Sequence, residues 1–137
     1  MKECVIKALK DNCCQAIGFV LSLLEENRCD SPAISMQVEL AIEEIFVNIA
    51  SYAYPSGRGD VTIAAEVSGD PKELTVVFKD SGVPFDPLAK EDPDITLPIE
   101  QRRIGGLGIF LVKDTMDDVT YRYADGMNIL TMKKELC

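Results

Sequence analysis

Residues 31–52 limit the architecture more than any other segment. Ser31-Pro32 offers a hydroxyl cap followed by proline at the first helical position, and Ile34, Val38, Ile42, Ile45, Ile49 and Tyr52 then recur on one stripe at helical spacing. A helix of this length spans about 30 Å. Its apolar residues mark one buried stripe, which needs an apolar surface from the rest of the chain.

The flanking residues supply that surface. Glu3 to Leu9, with Val5, Ile6, Ala8 and Leu9, reads as an opening strand that ends at the Lys10-Asp11-Asn12 turn. From Cys13, the residues Ile17, Val20, Leu21 and Leu24 mark a first amphipathic helix that stops near Glu25-Glu26-Asn27. Beyond Pro55 and the Ser56–Asp60 turn, Val61–Val67 and Leu74–Phe78 form a hairpin joined through Gly69-Asp70-Pro71. Residues 82–104 contain four of the seven prolines and no periodicity, and a loop this long is usually functional. Gly105-Gly106-Leu107-Gly108 then opens a short helix to about Met116, with Ile109, Val112 and Met116 on one face, and Val119–Tyr123 and Met127–Met132 make a last hairpin turning at Asp125-Gly126.

Strands segregated from helices in this order predict an α+β fold, a two-layer α/β sandwich with a mixed, mostly antiparallel sheet and helices on one face. Residues 1–137 read as a single domain without internal repeats. No run approaches the roughly 18–20 apolar residues of a membrane span, and Met1-Lys2-Glu3-Cys4 does not begin a secretion signal, so neither a membrane nor an anchor is expected. Five cysteines without C-x-x-C spacing suit a reducing cytoplasm. The net charge of −9, with no basic patch beyond Arg102-Arg103 and Lys133-Lys134, argues against direct nucleic-acid binding. The sequence has no histidine, which removes Ser-His-Asp and Cys-His chemistry, His-bound metals and phosphohistidine. Carboxylates, amides and bound ions must do any chemistry.

Glu44 and Asn48 lie one helical turn apart, about 6 Å along the axis, so both can act on one ligand. Together with Gln37, Ala41 and Ser51 they border the apolar stripe, at the edge of a cleft, whereas Glu39 and Glu43 point further round into solvent. An Asn carbonyl suits a magnesium ion that also binds phosphates, and a Glu can take a proton from a hydroxyl. Asp80-Ser81-Gly82 ends an apolar strand with a carboxylate able to accept adenine amino hydrogens and a glycine permitting close backbone approach. Gly105-Gly106-Leu107-Gly108 before a helix offers free amides for phosphates but is neither a P-loop nor a dinucleotide fingerprint. Taken singly, each has an ordinary reading as surface polarity, a strand-end turn or a glycine hinge.

Their order, Glu44-x-x-x-Asn48, Asp80-x-Gly82, Gly105-Gly106-x-Gly108, resembles the nucleotide signature of the GHKL ATPase and kinase superfamily. Asp80–Pro87, Gly105–Val112 and Met116-Asp117 are similar to the anti-sigma-factor serine/threonine kinases within it. The resemblance implies a Bergerat fold binding ATP with Mg²⁺, Glu44 as general base, Asn48 as Mg²⁺ ligand and Asp80 as adenine acceptor. Gly82, Gly105, Gly106 and Gly108 would line the nucleotide and a lid over about 83–104. Arg102 or Arg103 would reach the terminal phosphates, and Thr131 would face the adenine side. The implied activity is transfer of the γ-phosphoryl group to a Ser or Thr of an anti-anti-sigma (STAS-type) protein, together with sequestration of a sigma factor; a homodimer is compatible with it. Tyr52 departs from the histidine frequent at that position in the family. Two alternatives stay open: a non-catalytic nucleotide-dependent interaction module, and the ATP-binding part of a histidine-kinase-like system, whose phosphorylated histidine is not among these residues.

Overall fold

The computed structural model describes residues 1–89 and 106–136. Along the chain these form β1 (Lys2–Lys7), α1 (Cys13–Glu26), α2 (Pro32–Tyr52), β2 (Asp60–Ser68), β3 (Glu73–Asp80), α3 (Gly106–Thr115), β4 (Asp118–Ala124) and β5 (Met127–Glu135). Short 3-10 turns occupy Lys10–Asn12 and Pro87–Ala89.

The strands make one sheet in the order β1-β2-β3-β5-β4, and each of its four pairings is antiparallel. The expected mixed sheet is therefore corrected to a wholly antiparallel one among the described residues. The α1–α2 pair carries the chain out and back, so β2 starts opposite the end of β1, with Asp60 facing Lys7. Among the described residues the one crossover runs from β3 by way of α3 to β4, which does place β4 parallel to β3. The tight β4–β5 hairpin then folds β5 into the gap, so these two never pair. Asp125 (φ 54°) and Gly126 (φ 76°) make that turn, two left-handed residues whose twist matches the strands they join.

Alternation along the strands puts Ile6, Val61, Ile63, Leu74, Val76, Phe78, Leu130 and Met132 on one face. These residues join Val20 and Leu24 of α1, Val38, Ile42, Ile45 and Phe46 of α2 and Ile109 and Val112 of α3 in one buried core. The helix borders follow their local chemistry. The Ser31 hydroxyl accepts the Ile34 amide at 3.3 Å, and Pro32 opens α2 as expected. Buried Lys134, on the last inward position of β5, donates through Nζ to the Thr115 carbonyl at 2.7 Å and so places a cation on the C-terminal end of α3.

Two local expectations change. The opening strand stops at Lys7 rather than Leu9, because the Ala8 amide turns to the Gly59 carbonyl at 2.9 Å and Leu9 is left exposed. Tyr52 is not part of the buried stripe. It is 54% exposed, and its ring stacks on Phe85 with centroids 5.5 Å apart.

Candidate functional site

The C-terminal half of α2 overhangs the end of the sheet where β3 finishes and β5 begins. Between them lies a small, partly open recess lined by Asn48, Ile49 and Ala53 from above, Phe78, Asp80, Asn128 and Leu130 from the sheet, and Phe85 and Tyr121 at its side. Its walls are mostly apolar, with a few polar groups gathered at Asp80, the arrangement that holds a flat ring and fixes its orientation.

Asp80 is only 4% exposed. Strand alternation turns it inward beside Val61 and Asn128, its register partners. Its Oδ1 accepts the Gly82 amide at 3.0 Å and Asn128 Nδ2 at 2.9 Å, which fixes the orientation of the carboxylate. Gly82 has a packing role that its sequence context did not reveal. A Cβ there would fall 2.2 Å from the Ala53 carbonyl oxygen, and the next amide, of Val83, donates to that oxygen at 2.8 Å. Only glycine lets the chain leaving β3 lie flush on the end of α2. Tyr54 reinforces the joint, its hydroxyl accepting the Ser81 amide at 2.9 Å and donating to the Asp60 carbonyl at 2.6 Å.

Asn48 lines the recess, and Glu44 lies one turn back along α2, beside the start of α3. Both are half-buried, whereas Glu39 and Glu43 are exposed. The first turn of α3 is packed directly on Glu44: a Cβ on Gly108 would sit 2.0 Å from Glu44 Oε2. Burial, and then the negative charge of Glu43, raises the Glu44 carboxyl above its ordinary range. The same carboxylates reach Cys13 at the start of α1, whose thiol is pushed up to about 11, first by burial and then by Glu43, Cys14, Glu39 and Glu44. That thiol is inert at neutral pH.

Gly106 is the first residue of α3 and Gly108 lies in its first turn. Arg102, Arg103 and Gly105, with most of the expected lid, lie outside the described residues. Thr131 does not belong to the site. It pairs with Val77 and Thr120 on the sheet face away from the helices, because inward Leu130 and Met132 on either side force it outward. The inward polar residue of β5 at this end of the sheet is Asn128, which sequence motifs passed over. Alternation back from Met132 and Leu130 was the signal that could have found it.

The donor set fits a particular kind of metal binding. Among the described residues, no three His, Cys, Asp or Glu side chains are placed to hold an ion by themselves. One amide oxygen and one nearby carboxylate suit a hydrated Mg²⁺ whose other ligands come from phosphates.

A family model described as the histidine kinase-like ATPase domain matches residues 6–134. The serine-protein kinase RsbW of Bacillus cereus (strain ATCC 10987 / NRS 248) is 35% identical over 100 residues, 70% of this chain and 61% of that protein. The proteins of the same name from Bacillus cereus (strain B4264) and Bacillus mycoides (strain KBAB4) are each 34% identical over the same shares. The chain thus spans about 61% of the length of these relatives. A recess built around a strand-end aspartate, an overhanging helix with Glu44 and Asn48, and a match over nearly all its residues lead to one assignment: the chain belongs to the histidine kinase-like ATPase domain family.

Proposed function

We propose that this chain is an ATP-dependent serine/threonine protein kinase acting on a protein partner. The supporting observation is the spacing along α2. From Glu44 to Ala53 the helix advances about 13 Å, comparable with the reach of an extended adenosine triphosphate. Asp80 stands at the Ala53 end and the glycine turn of α3 at the Glu44 end. In this reading the purine enters the apolar recess with its amino group on Asp80, and the phosphates run along α2 towards α3.

Asn48 is the residue that would hold a Mg²⁺ ion beside the phosphates, and such an ion would supply neutralisation of phosphate charge. The amides opening α3 offer hydrogen bonds to phosphate oxygens. Glu44 accepts the proton of the acceptor hydroxyl as its oxygen bonds to phosphorus and the bond to the ADP oxygen breaks. The raised affinity of Glu44 for protons suits a base that must hold one transiently. The partner would be a small anti-anti-sigma protein bearing the acceptor serine or threonine, with a sigma factor as the sequestered second partner, both in the cytoplasm. The named activity of the matched relatives, serine-protein kinase, points the same way.

The test is transfer from labelled ATP, with Mg²⁺, to candidate partner proteins, read as phosphoserine or phosphothreonine. Glu44→Ala is expected to abolish transfer and keep ATP binding. Transfer at the unmodified rate by that variant would remove the mechanism.

A further inference from the structure

Asn128 is buried, 6% exposed, and no nucleotide motif includes it. Its neighbours fix which end of the amide is which. The Phe85 amide can only donate, so at 3.1 Å it must face Oδ1, while the Asp80 carboxylate and the Val83 carbonyl can only accept, so both must face Nδ2, each at 2.9 Å. The Tyr121 hydroxyl then donates to Oδ1, and burial, which raises its pKa above the ordinary phenol range, keeps it a donor. Both hydrogens and both lone pairs of the amide are thereby occupied. Asn128 has no capacity left for a ligand.

What it does instead follows from Asp80. Oδ1 of that carboxylate receives two donors, the Gly82 amide and Asn128 Nδ2. No donor among the described residues reaches Oδ2, and no buried side-chain oxygen is without a partner, so Oδ2 is the atom presented to the recess. A carboxylate pinned this way cannot rotate to offer its other edge, and it can only accept. A ring that carries an amino group at that point is bound; one that carries a carbonyl oxygen is repelled. The same amide anchors Val83 and Phe85, in the segment that follows β3, and Phe85 lines the recess.

We infer that Asn128 is a positioning residue that sets base selectivity: it locks Asp80 with a single acceptor facing the purine and holds the adjoining wall in register with it. The inference rests on the reading that Asp80 receives the amino group of adenine.

Competition between ATP and inosine triphosphate, which has an oxo group in place of that amine, tests it. Displacement of a fluorescent nucleotide from the full chain with Mg²⁺ gives both affinities. The unmodified protein should prefer ATP by at least about 30-fold. Asn128→Asp, which removes the donor and sets two carboxylates against each other, should cut that preference by about 10-fold or more. Tyr121→Phe keeps the amide but takes away one of its anchors, and should cut it by about 3-fold. Circular dichroism checks folding; if Asn128→Asp does not fold, Tyr121→Phe decides. Folded variants that weaken both nucleotides equally would show a merely structural role and overturn the inference, leaving the Asp80 reading intact. Equal binding of the two nucleotides by the unmodified protein would overturn both.

Discussion

Replacing Gly108 by alanine probes how closely α3 is laid on Glu44. The new Cβ would stand 2.0 Å from Oε2 and 2.7 Å from Cδ, both inside the 3.0 Å that real Cβ atoms keep, so the carboxylate has to retreat by at least about 1 Å. The obstacle is the far end of a flexible side chain, which can swing away at little cost. The helix itself gains about 0.5–1 kcal/mol from exchanging glycine for alanine. Stability should therefore change by less than about 1 kcal/mol, a shift of the thermal midpoint within about 4 °C. Catalysis should respond differently. A base displaced by about 1 Å loses its alignment with the acceptor hydroxyl, and kcat should fall by about 10- to 100-fold with KM for ATP within about 3-fold. The assay is transfer from labelled ATP to the phosphoacceptor, alongside thermal denaturation. Glu44→Ala supplies the control, because with the carboxylate gone Gly108→Ala should give the full helix gain in stability. Transfer at the unmodified rate by Gly108→Ala, or the same stability increment in both backgrounds, would refute the packing argument.

Gly82→Ala should act on the fold instead, because its Cβ would meet Ala53 backbone atoms at 2.2 and 2.6 Å that cannot move aside. A loss of about 2–4 kcal/mol is expected, including the Val83–Ala53 hydrogen bond, and a denaturant midpoint unchanged from the parent would contradict it. Burial first and Glu43 second hold the Glu44 carboxyl above its ordinary range, so Glu43→Gln should move the acidic limb of the pH–rate profile to lower pH; an unmoved or upward-shifted limb would exclude Glu44 as the titrating base. The sign for stability is the reverse of a salt-bridged acid. The folded state favours protonated Glu44, so the charged form opposes folding once the pH exceeds the raised value. Glu44→Gln should consequently stabilise the protein near neutral pH, with the gain fading as the pH falls through the raised value and gone below the ordinary carboxylate range. Chemical denaturation at both pH values checks this.

The parts of this structure that could be read from sequence are those set by local periodicity. The stripe from Ile34 to Ile49, the Ser31-Pro32 cap and the Asp125-Gly126 turn are dictated by residues a few positions apart, and all three are found where they were expected. Glu44 and Asn48 share a helix face for the same reason. Pairing between distant strands is not local, so nothing in residues 118–135 announced that β5 would slot between β3 and β4 and leave the sheet wholly antiparallel. Tyr52 continues the helical period of the stripe, yet the helix ends beside it. Its side chain is left largely exposed, with its ring against Phe85. Thr131 shows the cost of assigning a role from a motif without the strand period. It directly follows inward Leu130, and that single step moves a side chain across the sheet. Asn128 was missed because an isolated asparagine carries no pattern; its importance comes from Asp80, Val83, Phe85 and Tyr121, which only the fold assembles around it.

Titration calorimetry of ATP with Mg²⁺ into the folded chain and into Asp80→Asn asks whether the recess beneath α2 is a nucleotide site at all. Asp80→Asn keeps the shape of the side chain and removes the negative acceptor. Saturable binding at one site is expected for the unmodified chain, weakened by at least about 10-fold in the variant. Absence of binding to the unmodified chain, or equal affinity in both proteins, would contradict the assignment of Asp80 and of the recess built around it.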